Sequence, residues 1–428
     1  MSPGPEDSGR RAYLDYRARC QQVFTPFAPI ELPDFFAGRI EHVRRLEAEV
    51  DAPGRHVAIF GERGVGKTSL AKLAYFFLGR AEEHTHFARC QKTSTFDSIF
   101  ADVLASSGIE VVLNGVESEG TGEGRLGIGP VSLGRARRLR KTFRRLSTGR
   151  RIQPQHLLDQ FCGPRGLIIV DEYDRVVDPE THTRMAELIK HFSDAHANTK
   201  IILCGVAETV AELIGEHESL SRSLAQIKLD RMSVEELRSI VERGGEYLST
   251  SFKQSTKSRI IRLADGFPYF VHLLCLHACR IAGRVLEESP DADMIVADEE
   301  YRDGLYEALK SAEHSLEEQY EGAVVTTQRR SEKFELILWA MALSDECDVQ
   351  VRDIAQNAML LVGREIKPAS FSWNLGELSS DRRGSVLTKV RKGYYKFTNP
   401  LLRPYIRFLL ELENIIKRGE QWEFPFMK

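Results

Sequence analysis

The stretch His56-Val57-Ala58-Ile59-Phe60-Gly61-Glu62-Arg63-Gly64-Val65-Gly66-Lys67-Thr68-Ser69-Leu70 decides the fold. An apolar run ends in a glycine loop, then Lys-Thr, then a helical pattern. This is G-x-x-x-x-G-K-[ST] in its strand–loop–helix setting. Gly61, Gly64 and Gly66 let backbone N–H groups turn inward around phosphates, and the helix opening near Lys67 presents its N-terminal dipole to the same anion. On this reading Lys67 reaches the β- and γ-phosphates of a nucleoside triphosphate and the Thr68 hydroxyl ligates Mg²⁺. Glu62, Arg63, Val65 and Ser69 complete the loop and the first helical turn. A chance glycine turn would lack the matched strand and helix.

A second constellation lies about 100 residues further on, at Leu167-Ile168-Ile169-Val170-Asp171-Glu172. Four apolar residues followed by two acids read as a strand whose C-terminal end holds Mg²⁺ through Asp171. Glu172 is placed to polarise an attacking water as general base. Alone this pattern is weak; after a phosphate loop at sheet-like spacing it is strong, and it favours a hydrolase over a passive nucleotide binder.

The intervening pattern is that of an α/β protein. Strands are expected at Val57–Phe60, His86–Cys90, Leu167–Val170, Lys200–Gly205 and Gln226–Leu229, with helices over Arg39–Val50, Ser69–Leu78 and Phe96–Ala105. Near-continuous apolar strands separated by helices indicate a parallel sheet covered on both faces. Ser233 to Glu236 is a capping box opening an all-helical stretch to about Leu286. Residues 1–33 are polar and proline-bearing and read as a flexible segment. The division that follows is a nucleotide-binding core over 34–230 with an insert at 107–151, a helical lid over 231–312, and a final unit over 313–428. In that unit helical patterns at Phe334–Leu343, Val351–Leu361 and Ser380–Val390 precede a strand at Gly393–Thr398, the order of a winged helix.

Taken together, Phe36-Ala37-Gly38-Arg39, the phosphate loop, the acidic strand end and Gly266-Phe267-Pro268 resemble the AAA+ P-loop ATPases of the Orc/Cdc6-like and STAND-related group, over roughly residues 34–410. The resemblance implies that Gly38 and Arg39 lie beside the adenine and that ATP sits between core and lid. It puts the sensor 1 position near Cys204-Gly205, with Glu208 and Thr209 beyond, where a polar side chain is usual. It gives Arg222 the place of an arginine finger that completes a neighbouring subunit's site, and it has Pro268 set the angle of the lid. The lid departs from replication initiators, which usually place an arginine there to touch the γ-phosphate.

The insert runs from a glycine-rich stretch into Arg135-Ala136-Arg137-Arg138-Leu139-Arg140-Lys141-Thr142-Phe143-Arg144-Arg145-Leu146. Leu139, Phe143 and Leu146 recur at i, i+4 and i+7, so the segment reads as an amphipathic basic helix. Arg137, Arg138, Arg140, Lys141, Arg144 and Arg145 suit the backbone of double-stranded DNA, bound without sequence preference. An acidic protein partner, or plain solvation, remains an alternative. Arg382, Arg383, Lys389, Arg391, Lys392 and Lys396 form a second basic cluster in the final unit.

The bulk numbers bound the rest. A net charge of −3 excludes a globally basic nucleic-acid binder, so any polyanion contact is local. No apolar run approaches the roughly 18 residues of a membrane span, and the polar N-terminus has no signal-peptide core, which together read as intracellular. His272, Cys275, His277 and Cys279 read as part of a buried helix rather than a metal site. The expectation is a Mg²⁺- and ATP-dependent switch that is homo-oligomeric in its ATP state, is slow in turnover, and acts with DNA or a protein partner. The alternative is a STAND-type signalling or defence ATPase that controls a protein without touching DNA.

Overall fold

The computed structural model describes residues 5–28, 36–77, 85–113, 144–148, 151–214, 220, 222–326 and 329–413. By its internal contacts the chain forms two bodies. One comprises Glu41–Gly61 and Lys67–Leu229. The other takes in residues up to Ile40, the pentapeptide Glu62–Gly66 and the chain from Asp230 onward.

The chain opens with α1 (Pro5–Val23), where the sequence predicts a flexible segment. Tyr16, Cys20, Val23 and Phe24 are buried along one stripe of this helix and the turn after it. The stripe is only four residues wide and set among charges, so the segment reads as polar in sequence. Two glycines of the same body receive it: a Cβ at Gly283 would collide with the Tyr16 ring, and one at Gly244 with that of Phe24.

The nucleotide body is built from α2 (Ile40–Asp51), β1 (His56–Gly61), α3 (Lys67–Phe77), β2 (Thr85–Arg89), α4 (Phe96–Ser106), β3 (Ile109–Leu113), β4 (Arg144–Thr148), α5 (Pro154–Phe161), β5 (Gly166–Asp171), α6 (Pro179–Asp194), β6 (Thr199–Val206), α7 (Val210–Ile214) and β7 (Leu224–Leu229). Five strands form a parallel sheet in the order β2-β5-β6-β1-β7. β1 and β5 are buried along their whole length, as strands covered on both faces must be. The expected α/β sheet and its strand positions are therefore borne out. Because β6 separates β5 from β1, the ends of β5 and β1 open on the same edge of the sheet with one strand between them.

The insert differs from its reading. Arg144, Arg145 and Leu146 belong to β4, which pairs in parallel with Ile109, Glu110 and Val111 of β3. No helix runs through them. Arg137, Arg138, Arg140 and Lys141 lie outside the described residues.

The second body continues with α8 (Val234–Leu248), β8 (Thr250–Phe252), α9 (Gln254–Ala264), α10 (Pro268–Ala282), β9 (Met294–Val296), α11 (Asp298–Ser311), α12 (His314–Val324), β10 (Val325–Thr326), β11 (Arg329–Arg330), α13 (Glu332–Ala342), β12 (Val349–Gln350), α14 (Val351–Val362), α15 (Ser372–Leu378), β13 (Leu387–Arg391), β14 (Tyr394–Phe397) and α16 (Leu402–Leu412). The capping box at α8 forms as read, with Ser233 and Glu236 exchanging bonds.

The apolar run with two cysteines and two histidines is the buried helix α10. His272 Nδ1 accepts from the Thr25 amide at 3.3 Å, and burial lowers its pKa to about 4, so the ring is neutral. Among the described residues no group of His, Cys, Asp and Glu could hold a metal ion. By length and composition alone Pro268–Glu287 would suffice for a membrane span, but it is mostly buried, as the core helix of this body.

In the last unit the helix expected over Ser380–Val390 is absent. Gly384 (φ 69°) and Ser385 (φ 47°) turn the chain left-handed, and Leu387–Arg391 pairs antiparallel with β14. The third helix is instead α15. The strands order as β12-β14-β13.

The docking of α1 yields a stability test. Gly283→Ala, which forces Tyr16 aside, is expected to destabilise by about 1–3 kcal/mol. Gly322→Ala is the control: its Cβ would meet nothing within 4 Å inside α12, and it should be neutral or stabilising by up to ~1 kcal/mol. Urea unfolding followed by circular dichroism reads both.

Candidate nucleotide site

The loop after β1 turns where glycine is required. Gly61, Gly64 and Gly66 have φ of 148°, 84° and 96°, a region side chains rarely adopt. At Gly61 a Cβ would also run into the Leu229 carbonyl of β7, so the chain leaves the centre of the sheet only as glycine. The Lys67 ammonium at the start of α3 donates to the Gly61 carbonyl at 3.1 Å, folding back over its own loop.

Within the same body Thr68 Oγ1 donates to Asp171 Oδ2 at 2.8 Å. This joins the two motifs read from the sequence. Asp171 also accepts from the Glu172 amide at 2.9 Å. Burial pushes the Asp171 carboxyl above the usual range, opposed by the Thr68 bond. A hydroxyl and a buried carboxylate in contact are hard oxygen donors of the kind Mg²⁺ takes, and the buried charge gains from a cation.

Glu172 occupies a left-handed backbone position (φ 54°), rare for a residue with a side chain. Two arginines hold its carboxylate. Arg89 Nη2, at the end of β2, donates to Oε1 at 2.5 Å, and Arg175 Nε lies 3.0 Å from Oε2 as an ion pair without hydrogen-bond alignment. Arg89 lies 83 positions from Glu172, so no local pattern in the sequence links the two. The β2–β5 pairing, which places Arg89 opposite Asp171, brings it to the site.

Cys204, near which the resemblance puts sensor 1, is wholly buried in β6, and burial raises its thiol well above the ordinary value. The Val206 amide donates to Asp174 Oδ1 at 2.8 Å, so the turn after β5 fastens the end of β6. Glu208 and Thr209 are occupied with Glu212 of α7: the Glu208 amide donates to its carboxylate at 2.8 Å, and its amide donates to Thr209 Oγ1 at 3.3 Å. Arg222 is exposed, and its carbonyl accepts from Arg55 Nη1 at 2.7 Å.

In the second body Gly38 (φ 72°) and Arg39 (φ 58°) form a left-handed pair. The Arg39 amide donates to Glu236 Oε1 at 2.9 Å. Its buried guanidinium donates to the Val65 carbonyl at 3.2 Å and to the Asp230 carbonyl. Arg39 thus braces the back of the loop. Pro268 opens α10, and its Cγ lies 4.0 Å from where a Cβ of Gly66 would be. Arg63 pairs with Glu313 at 3.1 Å. Glu62 is held by Arg231, which neither motif nor spacing singles out.

Residues 51–213 match the AAA domain family. Apart from the pentapeptide Glu62–Gly66, that stretch lies within the nucleotide body. No curated relative matches the sequence. The chain is similar to a Walker-type ATPase of Pyrococcus abyssi at 15% identity and a TM-score of 0.50, over 89% of this chain and 99% of that one. The Orc2 protein of Aeropyrum pernix aligns at 13% identity and a TM-score of 0.46, over 92% and 97%. The Orc1 protein of the same organism, solved in complex with DNA, aligns at 15% and 0.43, over 92% and 98%.

In this nucleotide body the arginine clamp on Glu172 competes with any role of that carboxylate toward water. Arg89→Ala is expected to raise ATP turnover severalfold, since removing an exposed ion pair costs little stability. Adding Glu172→Gln should abolish the gain. A phosphate-release assay on the single and double variants decides.

Proposed function

We propose that this AAA+ chain is a Mg²⁺-dependent ATP hydrolase working as an assembling, DNA-associated switch. The observation that carries the reading is the Thr68–Asp171 contact at 2.8 Å with Glu172 next in the chain. Thr68 and Asp171 would hold Mg²⁺, which when bound supplies positive charge to the phosphates. Lys67 orients the γ-phosphoryl group. Glu172 takes the proton of the attacking water as its oxygen bonds to the γ-phosphorus and the bond to the β–γ bridging oxygen breaks.

Several features support the finer parts. The buried thiol at the sensor 1 position and the clamped Glu172 favour slow turnover. The exposure of Arg222 suits a finger offered to a neighbouring subunit, where a guanidinium stabilises charge on the transferring group.

The order α13-β12-α14-α15-β13-β14 supports reading residues 313–428 as a winged helix. Its hairpin exposes Lys389, Arg391 and Lys392, a basic edge suited to a phosphate backbone. Arg383 does not belong to that edge: it donates to the Val325 carbonyl at 2.7 Å and stacks over Phe334. The STAND-type alternative is favoured by one observation, the contact of Leu401 with the phosphate loop, where a Cβ at Gly64 would lie 2.7 Å from Leu401 Cδ2.

Wild-type turnover should exceed that of Glu172→Gln by at least about 100-fold, in line with the loss of a general base. Equal rates would remove the hydrolase reading. Duplex DNA should bind at low salt and weaken steeply as salt rises, and a triple Lys389→Glu, Arg391→Glu, Lys392→Glu variant should lose it. Absence of binding by the natural chain favours the alternative.

Mixing Arg222→Ala with Lys67→Ala protein should restore part of the activity, because each supplies what the other lacks. Light scattering confirms that mixed assemblies form; inactive mixed assemblies would count against the finger.

A further inference from the structure

Four successive residues of the phosphate loop each meet a partner from their own body: Glu62 meets Arg231, Arg63 meets Glu313, Gly64 meets Leu401, and Val65 meets Arg39. The first of these is chemically odd. Glu62 brings a negative charge into a loop whose amides are arranged for anions. We propose that Arg231 is a positioning residue for nucleotide binding: it cancels and holds the Glu62 carboxylate, with a grip set by Asp265 and the last helix.

The geometry is that of a divided guanidinium. Arg231 Nε donates to Glu62 Oε2 at 2.7 Å and Nη2 approaches Oε1 at 3.4 Å, while Nη1 donates to Asp265 Oδ2 at 2.7 Å. The guanidinium carbon lies 4.6 Å from the centroid of the buried Phe267 ring. A Cβ at Gly266 would come within 2.6 Å of Arg231 Cβ, so glycine at that position permits the approach. A lysine could not serve both carboxylates, lacking the planar fork.

Asp265 is not Arg231's alone. Arg403 donates to it from Nε at 2.7 Å and from Nη2 at 2.8 Å, and Arg407 Nη1 donates at 3.1 Å. Both arginines belong to α16 and are anchored by the carbonyls of Ala342, Ser344 and Glu346. Three cations therefore share one carboxylate whose side chain is 10% exposed. The more charge Arg403 draws from Asp265, the more of Arg231 is left for Glu62. A change in α16 thereby reaches the loop through three ion pairs, Arg403–Asp265, Asp265–Arg231 and Arg231–Glu62, without touching a nucleotide.

The inference rests on ATP binding at this loop, so its test separates the two. A non-hydrolysable ATP analogue with Mg²⁺ is titrated calorimetrically into the full chain. Arg231→Ala should weaken binding roughly tenfold, because an uncancelled charge then faces the phosphates. Glu62→Gln with Arg231→Ala should recover to within about threefold of the natural chain, since no charge is left to cancel. A merely structural role for Arg231 predicts no such rescue.

Arg403→Gln should weaken binding only where Glu62 is present. Thermal midpoints without nucleotide report folding, and Arg231→Gln, which likewise removes the positive charge, replaces the alanine variant if that unfolds. If Lys67→Ala binds as tightly as the natural chain, the ATP reading falls and the relay with it. If Lys67→Ala loses binding while the double variant is no better than Arg231→Ala, the relay alone is overturned.

Discussion

The hydrogen bond from Thr68 to Asp171 is the contact on which the site depends. It spans 103 positions of sequence and exists only because β1, β6 and β5 lie in register in one parallel sheet. A slip of one residue in a strand reverses every side chain and would point Asp171 into the core. The buried strands therefore do more than supply apolar area. Their register sets the geometry between a hydroxyl that opens a helix and a carboxylate that ends a strand.

The loop itself is built with opposite demands at its two ends. At Gly61 the backbone is pressed against β7 and has no freedom. Its middle residues are gripped one by one: Glu62, Arg63 and Gly64 by side chains that follow much later in the chain, and Val65 by Arg39, which precedes it. An anion site needs amides that are already oriented before the ligand comes, because reorganisation then costs nothing. Here the orientation is imposed from outside the loop: Arg39 through a carbonyl, Arg231 through a carboxylate, Leu401 through contact.

What the sequence makes legible follows from how local each signal is. The phosphate loop, the acidic strand end and the apolar strands are readable because each is a run of neighbours with one period. The Gly266-Phe267-Pro268 motif is readable as a pattern, while its physical content is not: glycine for the approach of Arg231, phenylalanine as the surface it stacks on, proline as the first residue of α10. Arg89, Arg231 and Asp265 are invisible because their partners lie far away in sequence, and the capping box that shows Glu236 does not show its bond to Arg39. Pattern also misleads where two periods fit. Leu139, Phe143 and Leu146 fit a helix, yet Arg144–Thr148 is a strand. The polar face of α1 hides a stripe of buried residues behind its arginines.

The pentapeptide Glu62–Gly66 has a consequence for the order in which the protein is made. It leaves the ribosome early, but its partners are Arg231, Phe267, Glu313 and Leu401. The parallel sheet up to Leu229 can assemble as synthesis proceeds, since domains fold as units from the N-terminus. The helix α1 meanwhile waits for Gly244 and Gly283. Until those later residues have been made, the loop lacks the contacts that Arg231, Glu313 and Leu401 supply. A chain cut short before Leu401 would keep every residue of the motif and still lack the mould that shapes it.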